Sequence, residues 1–329
     1  MSTNRNAALS KSYFGNNYIG FVFFLLAILG FVQPTYSQLH DYTWILGYDG
    51  GPDMPIGDSF GLSILTFTDE KLAIVAEEEK GSMFFNTNNA SYSNRAGILF
   101  CSFNGKGVYN KDHTAMVNGD EWFDGDFSAG WLYPQSGLIL PFPEDSSRAA
   151  LINTQTNRYE IGGQMIGVGE NIYFSEIDQS GAEGLGAVVV RKELLLSDTL
   201  DIGKLSACRH ANGRDWWVIM PEFNSNRYYR YSLTPLGIAL DGIQEIGEIV
   251  PSGVGQALFS PDGSKHIRFN AISEQAGEYT TIYDFDRCTG LLSNFRQFNY
   301  PVGGSGGGAF HLKKRPLFVY FFHHHALSI

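Results

Sequence analysis

Apolar residues in this chain fall into short runs, many alternating with polar positions, and the runs end at turns built on Gly, Asn, Asp or Ser. A period of two marks a strand with one covered face. A short unbroken apolar run between turn residues fits a strand covered on both faces. The clearest case is a repeat. "KLSACRHANGRDWWVIM" and "GQALFSPDGSKHIRFNA" superpose with Ala207 on Ala257 and Asn212-Gly213 on Asp262-Gly263, both at an offset of 50. Asn-Gly and Asp-Gly tolerate the positive φ that tight hairpins demand. The first copy continues through the turn "NSNR" to the strand candidates "YYRYSL" and "QEIGEIV". The second continues through "SEQAGE" to "YTTIYDFD" and "LLSNFRQF". Four short antiparallel strands in a unit of about 50 residues predict a β-propeller blade.

Weaker copies lie upstream in "SNRAGILFCSFNGKGVYN", with a turn near Gly97, and in "GLILPFPEDSSRAALINTQ", with a turn near Ser146; Tyr42 to Ile74 supplies earlier strands. The expected fold is all-β, a propeller of four-stranded blades with about five to six blades' worth of sequence. A β-sandwich is also many-stranded and rich in turns; the four-strand internal repeat favours the propeller. No Pro/Ser/Gly-rich linker interrupts residues 38–300, so one domain is expected over 38–310.

Ahead of it, Arg5 and Lys11 precede the apolar run "IGFVFFLLAILGFV" (Ile19 to Val32), followed by small residues at Thr35 and Ser37. A positive lead, an apolar core shorter than a membrane span and a small-residue end predict a secretory signal over 1–37, cleaved after Ser37. The alternative is an uncleaved membrane anchor. The net charge is −11, and cleavage removes two positive charges and no negative ones, leaving −13. With 38 Gly, 25 Phe and 17 Tyr the composition suits a β-rich protein with tight turns. Lys313-Lys314-Arg315 is the only basic tract, and a phosphate-tracking surface needs clustered positive charge, so nucleic acid is excluded as a partner. Cys101, Cys208 and Cys288 are odd in number and fit no zinc spacing, and each reads as a small buried side chain.

"KLSACRHANGRDWWVI…FNSNRYYRYSLTPLGI", "GQALFSPDGSKH", "YDFDRCTGLLSNF" and "AGILFCSFNGKGVYNKDHTAMVNGD" together resemble the N-terminal propeller of large secreted proteins from gliding Gram-negative bacteria. The resemblance runs to Phe310. It implies a propeller of WD-repeat-like blades, export, and a place in proteins that continue into immunoglobulin-like modules and a sorting domain for type IX secretion. It implies no activity for particular residues.

Candidate chemistry is sparse. Gly57-Asp58-Ser59-Phe60-Gly61 and Gly303-Gly304-Ser305-Gly306-Gly307 match G-x-S-x-G, but Ser59 leads into a strand and Ser305 sits in a glycine loop, so neither is a nucleophile elbow. The segment "MVNGDEWFDGDFSAGW" gathers Asp120, Glu121, Asp124 and Asp126 around Trp122 and Trp131. Its spacing does not fit a calcium loop, whereas exposed aromatics beside acids suit contact with a glycan or protein. These six residues are the expected ligand contacts. "RHANGRDWW" sets His210 and Asp215 across a hairpin, which suits acid–base work or, preferably, a buried hydrogen bond between blades. Gly213, Asp262 and Gly263 are turn residues. Trp216 and Trp217 face opposite sides of a strand, so at least one fills the space between blades. The sequence has no H-E-x-x-H and no S-x-D-x-G-x-x-W box, and no metal or cofactor is expected.

The expected function is a secreted or cell-surface recognition or scaffold module without catalysis. Its partner would be an extracellular glycan or protein, and its membrane contact would run only through an uncleaved signal. The alternative is an exported glycan-active or lactonase-like propeller enzyme, which needs acids or a metal converging at the centre of the ring.

The last stretch, "HLKKRPLFVYFFHHHALSI", breaks the pattern. Consecutive strand residues alternate sides, so His323, His324 and His325 cannot converge on one metal. Read one nucleotide later, codons for Phe322 to His325 permit Ser-Thr-Thr-Thr, and the preceding codons permit an Asn-Gly hairpin. That restored glycine falls 52 positions after Gly263, as Ala309 falls 52 after Ala257. The expectation is an out-of-frame tail over 311–329 and an incomplete ring.

Overall fold

The computed structural model describes residues 40–47, 62–67, 71–77, 85, 88–123, 134–161, 163–273, 277–300, 306–310, 317–321 and 326–328. The predicted signal, both G-x-S-x-G serines and His323 to His325 lie outside them. Blade 1 comprises β1 (Thr43–Gly47), β2 (Leu62–Phe67) and β3 (Leu72–Glu77), and blade 2 comprises β4 (Ala90–Ser93), β5 (Leu99–Phe103) and β6 (Val108–Asn110). Blade 3 follows as β7 (Gly137–Pro141), β8 (Arg148–Ile161), β9 (Gln164–Asp178) and β10 (Ala187–Leu200). Blade 4 is β11 (Ser206–Arg209), β12 (Trp216–Pro221), β13 (Ser225–Thr234) and β14 (Gly237–Val250). Blade 5 is β15 (Val254–Phe259), β16 (Lys265–Ser273), β17 (Gly277–Asp286) and β18 (Leu291–Tyr300). In blade 6, β19 (Gly306–Phe310), β20 (Leu317–Phe321) and β21 (Ala326–Ser328) pair in turn, so part of the tail is itself stranded.

Each sheet is an antiparallel meander in chain order. The first strands of successive blades meet, β1 with β4, β4 with β7, β11 with β15 and β15 with β19. First strands gathered about an axis, with later strands radiating outward, are the architecture of a β-propeller. The 50-residue offset is the step from one blade to the next.

The turn residues act as their chemistry requires. In the first hairpins of blades 2 to 5 an Asx side chain accepts main-chain N–H groups two or more residues on. Asn94 takes those of Ala96 and Ile98, Asp145 that of Ser147, Asn212 those of Arg214 and Asp215, and Asp262 that of Ser264. Gly213 and Gly263 follow at φ +73° and +69°, where a side chain would be strained.

The second strands of blades 3 and 4 are covered on both faces, which explains why "WWVIM" and "RAALIN" read as largely apolar runs. On β12, Trp217 and Ile219 pack with Tyr283, Phe285 and Leu292 of blade 5. Val218 and Met220, with Trp216 against them, pack with Leu140, Ile152 and Phe174 of blade 3. The two indoles therefore fill two different gaps. Trp216 Nε1 donates to Pro141 O at 3.1 Å and Trp217 Nε1 to Arg287 O at 2.9 Å. Cys101 and Cys208 are buried; Cys288, contrary to its expected burial, is exposed on the β17–β18 turn, where its N–H donates to Asp286 Oδ1 at 2.8 Å.

A polar cluster is enclosed between blades 4 and 5. Arg268, fully buried on β16, reaches Asp201 at 2.8 Å, and Asn270 Nδ2 donates to the same carboxylate at 2.9 Å. Lys204, also fully buried, donates to Ile202 O and Gly253 O at 2.8 and 2.9 Å. Burial, aided by the Arg268 charge and opposed by Asp201, lowers the Lys204 amine to about 8. His266 holds its Nε2 3.1 Å from Ser206 Oγ, and burial, then the Arg268 charge, pushes its imidazole down to about 3.

Trp217→Ala should cost about 3–5 kcal/mol of stability, the range for truncating a buried indole; the half-buried Trp216 should cost less, and urea unfolding of both variants checks the order. The His266 imidazole, ordinarily near 6.5, titrates in the folded state near 3. The unfolded chain therefore takes up its proton first on acidification. Its contribution to stability is complete above about pH 6.5 and lost towards pH 3, at about 1.4 kcal/mol per pH unit between. His266→Gln should flatten the pH dependence of unfolding free energy between pH 4 and 6 by about one proton. Parallel slopes for the two proteins would contradict a buried neutral histidine.

Candidate functional site: the axial cleft

Because a first strand pairs on one side only, its other edge faces the axis. Beside blades 3, 4 and 5 these edges bound a cleft of about 490 Å³, lined by Leu138, Ala207, Arg209, Trp216, Phe259 and Asp262, among others. One edge is sealed. The Gln135 carboxamide, in the turn before β7, accepts from Ala257 N at 2.8 Å and donates to Ala257 O at 3.0 Å. It occupies the place of a neighbouring strand.

Arg209, at the end of β11, lays its guanidinium 4.0 Å above the Trp216 ring and donates Nη1 to Arg214 O at 2.8 Å. A planar cation stacked on an indole is held in place and keeps its charge. Among the described residues of the lining, Asp262 is the carboxylate. Its Oδ1 accepts from Ser260 Oγ, Ser264 N and Ser264 Oγ at 2.6, 3.0 and 2.8 Å. These bonds, led by that from Ser260, hold it at about 2. It is ionised and committed to its turn.

The expected contact loop is corrected in part. Trp122 is fully buried, edge-on to Phe103 at 5.8 Å, with Nε1 3.4 Å from Asn153 Oδ1. The loop after β6 folds back on itself, with Val108 N bonded to Gly119 O and Trp122 N to Lys106 O, and this drives the indole between blades 2 and 3. Trp122 is a core residue and no ligand contact. Asp120 and Glu121 are exposed, and their main-chain carbonyls accept from Arg191 Nη2 at 2.7 and 2.8 Å. Asp124, Asp126 and Trp131 lie outside the described residues. Among the described residues no three His, Cys, Asp or Glu side chains gather as a metal would require.

His210 and Asp215 meet through the main chain, His210 N donating to Asp215 O at 2.9 Å. Their side chains go elsewhere. The Asp215 carboxylate takes Arg214 Nε and Asn212 Nδ2 at 2.7 Å each, while the imidazole lies against Trp217 at 5.1 Å. Neighbours within the hairpin reach Asp215 first, so the expected His–Asp bond between blades is not made.

Arg287 supplies that link. From the β17–β18 turn it donates Nε to Arg209 O, Nη2 to His210 O and Nη1 to Asp262 O at 2.8, 3.2 and 3.3 Å. Its own carbonyl accepts from Ala211 N and Trp217 Nε1, both at 2.9 Å. Arg209, Gln135 and Arg287 were not singled out from sequence. The visible signal for Arg287 is its place after Asp286 in "YDFDRCTG", where Asp286 Oδ1 accepts from Cys288 N and sets the turn.

Arg287→Ala should leave three carbonyls without their charged donor and cost at least about 2 kcal/mol. Hydrogen exchange should rise at Arg209, His210 and Ala211 before it rises in blade 3. Exchange unchanged at those amides would show that the blades are held without it.

No protein-family model and no curated protein matches the chain. Among solved structures it is similar to a protein from Lactobacillus plantarum, at 12% identity over 88% of this chain and 81% of that one, with a TM-score of 0.45. It is similar to Kuenenia stuttgartiensis hydrazine synthase at 12% identity over 83% and 80%, with a TM-score of 0.42. It is also similar to the periplasmic gluconolactonase PpgL of Pseudomonas aeruginosa at 10% identity over 84% and 88%, with a TM-score of 0.36. Likeness at this level bears on neither the activity nor the site of the present chain.

Proposed function

We propose that the protein is an exported, non-catalytic recognition propeller that takes its ligand in the axial cleft. The observation that carries this reading is the cleft's chemistry. It offers a stacked cation, an indole face and a strand edge, while Asp262, the carboxylate among its described lining residues, is spent on a turn. A glycosidase or lactonase mechanism needs a second acid or a metal poised beside the first, with one group able to hold a proton near neutral pH. A carboxylate held at about 2 by three hydrogen bonds does not serve as that acid. Export is supported by the apolar run Ile19 to Val32 behind Arg5 and Lys11.

A panel of glycans, lactones and extracellular proteins, scored for both binding and turnover, tests the reading. Binding without turnover is expected. Arg209→Gln should weaken it about tenfold, a loss near 1.4 kcal/mol, while shifting thermal stability little, because the Arg209 main chain keeps its bond to Arg287. Turnover of any member that a single acid substitution abolishes would overturn the non-catalytic reading.

A further inference from the structure

We propose that the axial edge of β11 docks an extended peptide, read through the main chain of Ala207 and favouring an acidic residue beside Arg209. The inference rests on the recognition role above and names the ligand class for that cleft.

Ladder parity carries the argument. In an antiparallel pair, alternate residues send both N–H and C=O to the partner strand, and the residues between send theirs the opposite way. His210 N donates to Asp215 O, and the register sets Ala207 opposite Val218, so Ala207 and Arg209 direct their main-chain groups to the axis. Blade 5 repeats this. Ser260 N donates to Lys265 O, Ala257 lies opposite Arg268, and Ala257 faces the axis.

The twin positions differ in what covers them. Ala257 is 1% exposed, with both its groups taken by Gln135. Ala207 is half-buried and lines the cleft, and no described residue bonds its axial N–H or C=O. Gln135 shows what suits such a position: one donor and one acceptor, side by side and coplanar with the sheet. A residue of an added antiparallel strand presents that pair about 4.8 Å away. β11 is four residues long, so the docked segment is short. Arg209 C=O already accepts from Arg287 Nε at 2.8 Å, which ends the readable edge there. Beyond it the stacked Arg209 guanidinium favours a carboxylate on the ligand.

The probe is a mixture of acetylated, amidated tetrapeptides randomised at three positions with Glu at the fourth, offered to the full chain. Ala207→Pro deletes the axial N–H without removing a ladder bond, a place where a strand accepts proline. Retained peptides should bind Ala207→Pro about tenfold or more weakly. In the unmodified protein, saturating peptide should slow hydrogen exchange at Ala207 by about the same factor and leave Cys208, already bonded in the ladder, unchanged. If Ala207→Pro fails to fold, the exchange measurement decides alone. Peptide binding without protection at Ala207, and with undiminished affinity in a folded Ala207→Pro, would overturn the inference and leave the recognition role standing. So would failure of every peptide while a glycan or folded protein binds in an Arg209-dependent way. Failure of every ligand class would overturn both.

Discussion

Each blade satisfies its own main chain, but only as far as its sheet edges. The ladders run from first strand to last and stop there, so cohesion between blades falls to side chains and to a few main-chain contacts in the turns. Apolar burial supplies most of it, through residues that alternate across strands such as β12 and so serve two neighbours at once. Burial has no direction, however, and by itself permits blades to slide. Register comes from polar contacts with fixed geometry: Arg287 across three carbonyls of blades 4 and 5, the indole N–H groups of Trp216 and Trp217, and two glutamines. Gln244 on β14 exchanges hydrogen bonds with Leu292 N and O at 2.9 and 2.7 Å, as Gln135 does with Ala257. Each carboxamide stands in for one residue of a strand that the fold does not supply.

The same constraint shapes the cleft. A first strand has nothing to pair with at the axis, and an open edge is a template for another chain. At Ala257 the fold closes that template from within. At Ala207 it leaves the groups facing a cavity beside a stacked arginine. Frame and site therefore use one chemistry, and they differ in whether the complementary amide belongs to this chain.

The cluster of Asp201, Lys204 and Arg268 is a harder compromise. Two cations and one carboxylate are withdrawn from water, and pairing offsets only part of the desolvation. Burial is the largest influence on Arg268 and works against its charge, yet Asp201 and the Tyr228 and Tyr283 hydroxyls together outweigh it and the guanidinium stays charged. Lys204 is only 3.9 Å from the same carboxylate and leans on two carbonyls instead. Groups this costly to bury tolerate few alternative arrangements, which confines blades 4 and 5 to one docking.

The sequence by itself determined what depends on near neighbours. Asn212-Gly213 and Asp262-Gly263 place hairpins because an Asx side chain and the glycine after it act within a few bonds. The 50-residue offset sets the blade, and adjacency on a strand sends Trp216 and Trp217 to opposite faces. The tertiary structure decided what depends on which loop meets which blade. Trp122 stands among acids in sequence, yet a fold-back closed by Gly119 and Lys106 carries it into the core. His210 and Asp215 are well spaced for a bond, yet Arg214 and Asn212 take the carboxylate first. Gln135 seals an edge 122 residues away, and no local pattern announces it. Hydrogen bonds of that reach depend on the summed geometry of every intervening strand, whereas a turn depends on four residues.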